Sequence, residues 1–121
     1  MFFKKNPHKV LKKEFMFLKE NGFLLTEFRC GCEYELCYKL NDIQIHLNMY
    51  MGTDTKYMSD LWLDIILNVK GQESNLLKSN GIFNENILKQ LSNNLNSKNI
   101  YEKIEIYSAF IKEHLVEIIK R

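Results

Sequence analysis

Residues 35–48 read ELCYKLNDIQIHLN. Polar and apolar side chains alternate on both sides of Asn41-Asp42, the period of a half-buried β-strand. Both residues of that break tolerate positive φ, so the stretch predicts a hairpin closed by a two-residue loop. Leu40 then faces Ile43, Tyr38 faces Ile45, Leu36 faces Leu47, and Tyr34 faces Met49. These pairs form one apolar face, and a slip of one residue would turn all of them outward. The opposite face carries Lys39 beside Gln44, Cys37 beside His46, Glu35 beside Asn48, and Glu33 beside Tyr50.

Strand signals extend in both directions. Upstream, FLLTEFRC (23–30) and CEYELCYKL (32–40) flank Gly31. Downstream, IQIHLNMYM (43–51) leads through the polar loop 52–56 to LWLDIILNV (61–69), which is rich in branched residues. Gly71 and the polar QES after it close the set. Short connections make neighbouring strands antiparallel, which predicts a four-stranded meander.

Helices flank the meander. Asn6 suits a cap, Pro7 a first helical position and Gly22 the residue past the end, with Leu11, Phe15 and Leu18 as the stripe between them. After the strands, Leu76-Leu77 lie in a short helix ended by Asn80-Gly81. Ile87, Leu88, Leu91 and Leu95 make a second stripe. The longest helix is expected from Ile100 to Ile119, with Ile100, Ile104, Tyr107, Ile111, Leu115 and Ile118 on its buried side. The order predicts one α+β domain over 1–121: an N-terminal helix, a four-stranded antiparallel meander, and C-terminal helices packed on one sheet face.

A chain of 121 residues buries a real core without disulfides or metals. The net charge is +2 and the arginines are only Arg29 and Arg121, which argues against nucleic acid as partner. Lys9, Lys12, Lys13 and Lys19 read as a solvated helix face; a nucleic-acid site, the less favoured reading, would use Lys4, Lys5, Lys9, Lys12 and Lys13. Three cysteines fit a reducing compartment better than a disulfide framework. The opening MFFKK is too short for the apolar core of a secretory signal, and no run approaches the roughly 18 apolar residues of a membrane span. A cytoplasmic protein with no membrane association is the expectation.

Cys37 beside His46 raises the question of a nucleophile, because the thiolate is the reactive form of cysteine. A catalytic dyad also needs an orienting group and an oxyanion hole, and a flat sheet face is expected to supply neither. Cys30, Cys32, Cys37 and His46 do not make a zinc set. The usual spacing is C-x₂₋₄-C, and Cys32 and Cys37 lie five apart on one strand, facing opposite ways. No enzyme, no metal and no cofactor is expected.

The fourth strand decides the surface. Leu61, Leu63, Ile65, Leu67 and Val69 share one parity, and Trp62, Asp64, Ile66 and Asn68 share the other. With the first set toward the helices, Trp62 and Asp64 join Glu33, Glu35, His46 and Tyr50 on the outer face. Aromatic residues ringed by carboxylates are a protein-binding composition, and the carboxylates suit a basic partner. The inverse parity would enclose Trp62 in the core, since both sets hold large apolar side chains.

The segments FMFLKENGF (15–23) and EYELCYKLNDIQIHLNMY (33–50), followed by a Trp-bearing strand and a helical tail, resemble small bacterial immunity proteins of polymorphic and contact-dependent toxin systems. The resemblance spans residues 10–70. It implies a non-enzymatic protein that binds and neutralises a cognate toxin domain. Binding surfaces differ widely among such proteins, so no family site residue transfers to this chain. Many nuclease inhibitors are acidic, whereas this chain is slightly basic. A monomer or a weak homodimer through an exposed strand edge fits the layout. The alternative function is a small-molecule or peptide-binding domain, with a pocket between sheet and helices lined by Tyr34, Tyr38 and Tyr107.

Overall fold

The computed structural model describes residues 6–50 and 62–120. Two short helices, α1 (Pro7–Glu14) and α2 (Met16–Glu20), precede β1 (Leu24–Cys30), β2 (Glu33–Leu40), β3 (Ile43–Tyr50), β4 (Trp62–Val69) and β5 (Gln72–Asn75). A 3₁₀ turn (Leu76–Lys78) then leads to α3 (Glu85–Leu95) and α4 (Ile100–Ile119). The architecture is α+β, with one antiparallel sheet in the order β1-β2-β3-β4-β5.

The sheet therefore has five strands, not the four expected from sequence. Lys70 and Gly71 take φ of 54° and 83°, the paired positive values of a primed hairpin turn. That turn lays Gln72 against Val69 and Asn75 against Ile66. Gln, Glu, Ser and Asn are weak strand formers, so the ladder is set here by the turn and the neighbouring strand rather than by propensity.

The central hairpin has the register its alternation predicts, from Leu40↔Ile43 to Glu33↔Tyr50. Of its two loop residues, Asn41 takes the positive φ, at 54°. Leu36, Tyr38, Ile45, Leu47, Ile65 and Leu67 are wholly buried and share one core cluster with Leu11, Leu18, Ile104 and Ile111 from the helices. Full burial of one such side chain stabilises by about 1.5–3 kcal/mol, so a register slip would forfeit many times that. Helix α4 lies against β4, while α1 and α3 lie against α4.

The N-terminal helix is not continuous to Gly22. It breaks at Phe15, where φ is −100° and ψ is 12°. Phe15, Phe17 and Leu18 are all buried, and residues two apart do not share a helix face. The break resets the phase so that all three reach the core. Asn6 precedes Pro7 as expected, but its side chain makes no capping bond. Gly22, at φ 95°, closes α2: the Phe23 N–H donates to Leu18 O (3.0 Å) and the Gly22 N–H to Lys19 O (3.1 Å). At the other end, Asn99 and Glu102 cap α4 reciprocally, with side-chain to backbone distances of 2.9 and 3.2 Å.

Lys4, Lys5, Met51, the loop 52–56, Tyr57 and Leu61 lie outside the described residues. Among those described, no helix is long and apolar enough to cross a membrane.

Candidate functional site

The sheet face turned away from the core carries three rows of side chains. Cys30, Glu33, Tyr50 and Trp62 form the first, Phe28, Glu35, Asn48 and Asp64 the second, and Thr26, Cys37, His46 and Ile66 the third. Glu33, Glu35, His46, Tyr50, Trp62 and Asp64 are thus brought onto one face. Trp62 is 44% exposed while Leu63 and Ile65 are buried, so the inverse parity does not occur. The Tyr50 and Trp62 rings stack, with centroids 5.6 Å apart and 17° between planes.

Phe28 belongs to this face and was absent from the expected set. It is 56% exposed and sits across from Glu35. A groove of about 200 Å³ crosses the face, lined by Phe28, Glu33, Glu35, Asn48 and Trp62, and reaching Tyr34 and Met49. Asn48 Oδ1 is shielded from water beside this groove and has no hydrogen-bond partner.

His46 sits in the third row and is held from two sides. Its Nδ1 lies 2.8 Å from Glu35 Oε1, and its Nε2 lies 2.9 Å from Gln44 Oε1 and 3.8 Å from Cys37 Sγ. Glu35 therefore supplies the orienting group that a flat face was expected to lack. It does so from the neighbouring row, reaching diagonally across the strands. The trio still does not form an activated nucleophile. Whichever way the Gln44 amide is turned, Nε2 has a nearer partner than the thiol. Burial pushes the Cys37 thiol up, and the Glu35 charge adds to this, so the neutral form is favoured. Backbone N–H groups around Cys37 belong to the ladders with β1 and β3, so they are not gathered to face an oxyanion.

The chain matches no protein-family model, no curated protein and no solved structure.

Cys30 is exposed, Cys32 and Cys37 are half-buried, and all three are free thiols. Among the described residues, no three His, Cys, Asp or Glu side chains converge to hold a metal. The tyrosines expected to line one pocket are separated. Tyr38 is wholly buried, Tyr34 borders the outer groove, and Tyr107 borders a groove at the β4 edge with Asp64 and Lys103. Burial, with Asp64 nearby, pushes the Tyr107 hydroxyl up to about 12. Lys9, Lys12, Lys13 and Lys19 are exposed on α1 and α2, and Lys12 donates to Glu27 across to β1.

Proposed function

We propose that this protein is a non-enzymatic binding module whose open sheet face docks a basic surface on another protein. The observation that carries the reading is the uncovered pair Phe28 and Trp62, 56% and 44% exposed on a face edged by Glu33, Glu35 and Asp64. Exposed aromatics gathered on one face mark an interaction site more often than chance exposure does. Tyr and Trp anchors with a charged rim are the usual energetic centre of such sites.

The groove gives the partner a specific chemistry. Glu33 and Glu35 offer acceptors, and Phe28 and Trp62 offer ring faces. A lysine or arginine side chain satisfies both, by charge-assisted hydrogen bonds and cation–π contact. Together with the resemblance to bacterial immunity proteins, this favours a cognate toxin domain as the partner, neutralised by being covered rather than degraded.

The test is binding of the product of the gene immediately upstream, by calorimetry, with protection of cells expressing it. Trp62→Ala should weaken binding by about thirtyfold, the size of a hot-spot residue. Asp64→Lys should slow association and reduce its salt sensitivity. Unchanged affinity in both variants, with wild-type folding, would remove the outer face as the docking surface.

A further inference from the structure

Strand β1 lies at the edge of the sheet. Six of its seven residues are exposed, Leu24 at 76% and Phe28 at 56%, and Leu25 is half-buried. Edge strands are usually blunted by proline, by a bulge or by charged side chains, inward-pointing ones included. β1 has no proline and no bulge; its charges are Glu27 and Arg29, opposite the buried Leu36 and Tyr34 on the core-side parity. Its sequence is LLTEFRC, and its ladder with β2 runs unbroken from Leu24↔Lys39 to Cys30↔Glu33. The two-residue turn Gly31-Cys32 makes Cys30↔Glu33 a hydrogen-bonded pair. Alternation then points the N–H and C=O groups of Leu25, Glu27 and Arg29 away from β2, toward the free edge.

We propose that β1 pairs antiparallel with β1 of a second copy about a two-fold axis at Phe28. The choice of partner and register follows from charge. An antiparallel continuation that keeps the two outer faces on one side places the axis on a residue. An axis at Glu27 sets that carboxylate against itself, and one at Arg29 sets two guanidinium groups together, both destabilising. An axis at Thr26 pairs Glu27 with Leu25 and leaves Arg29 outside the ladder. Only the axis at Phe28 sets Glu27 opposite Arg29 of the second copy, twice. It also sets the two Phe28 rings together in a close non-hydrogen-bonded pair. Arg29 makes no ion pair among the described residues, whereas Glu27 already accepts from Lys12 and Tyr34, so the second copy's Arg29 would share that carboxylate with Lys12. The two sheets become one, and both aromatic and acidic panels lie on the same side of it.

Sedimentation of the full chain should show a concentration-dependent dimer. Arg29→Glu should weaken it about tenfold by turning two attractive pairs repulsive. The register is read by cross-linking. In the background Cys32→Ser, Cys37→Ser, the change Thr26→Cys places a thiol opposite the native Cys30 of the second copy. A mild oxidant should then give a disulfide-linked dimer, abolished by adding Cys30→Ser. A chain that stays monomeric at millimolar concentration, or an association indifferent to Arg29→Glu, overturns the proposal. A cross-link that survives Cys30→Ser overturns it too. Arg29 and Thr26 are not among the residues assigned to toxin binding, so failure here is distinguishable from failure there.

Discussion

The rings of Tyr50 and Trp62 stack at 5.6 Å across β3 and β4, on the side of the sheet opposite the buried Leu63 and Ile65. The pair stabilises the sheet only as a half-exposed cross-strand contact. Trp62→Ala should therefore cost about 0.2–1 kcal/mol in urea denaturation. Ile65→Ala, three residues along and fully buried, should cost about 2–5 kcal/mol. The reverse order would place Trp62 in the core.

Two tyrosines on β2 should respond oppositely to loss of a hydroxyl. Tyr38 OH is buried with no partner, so Tyr38→Phe should leave stability unchanged or raise it. Tyr34 OH donates to Glu27 Oε2 at 2.9 Å, so Tyr34→Phe should cost about 1 kcal/mol. Paired thermal unfolding curves separate the two.

These elements show where sequence was informative. The alternation in 35–48 set both register and face, because inverting it would expose Leu36, Tyr38, Ile45 and Leu47 together. The stripe from Ile100 to Ile118 set α4 in the same way. Three features depended on geometry that pattern does not encode. The polar strand Gln72–Asn75 needed the positive φ of Lys70 and Gly71; a Lys-Gly pair after a branched strand was its one signal. The face of Phe28 follows only once Gly31-Cys32 is a two-residue turn, since one more residue would reverse it. The Glu35–His46 contact is diagonal rather than directly opposite, so direct pairing misses it.

Acid should destabilise the fold in two stages. His8 has its pKa lowered below 6.5 by burial, then by the charges of Arg29 and Lys9. Its stabilising effect is present above pH 6.5 and is lost as pH falls toward the folded value. Glu27 has its pKa lowered below 4.5, chiefly by the Lys12 hydrogen bond and then by Tyr34. Its effect is present above pH 4.5 and is lost below it, and it is small because the ion pair is exposed. Denaturation midpoints between pH 8 and 3 should fall less steeply for His8→Phe in the upper window and for Glu27→Gln in the lower.

Thiol reactivity should rank against the Cys37–His46 pairing. Cys30 is exposed, whereas the Cys37 thiol is pushed up by burial and by Glu35. Iodoacetamide at neutral pH should alkylate Cys30 well before Cys37, as read by peptide mass mapping. Preferential labelling of Cys37 would mean that His46 activates it.

The uncovered outer face is tested most directly at Trp62, the sole tryptophan of the chain. Incorporating 5-fluorotryptophan gives one ¹⁹F resonance belonging to this protein alone, whose relaxation by a dissolved paramagnetic agent reports solvent contact. Strong relaxation is expected in the free protein, and protection when the proposed partner, the product of the upstream gene, is bound. A complex that forms while Trp62 stays equally open to the agent would contradict it.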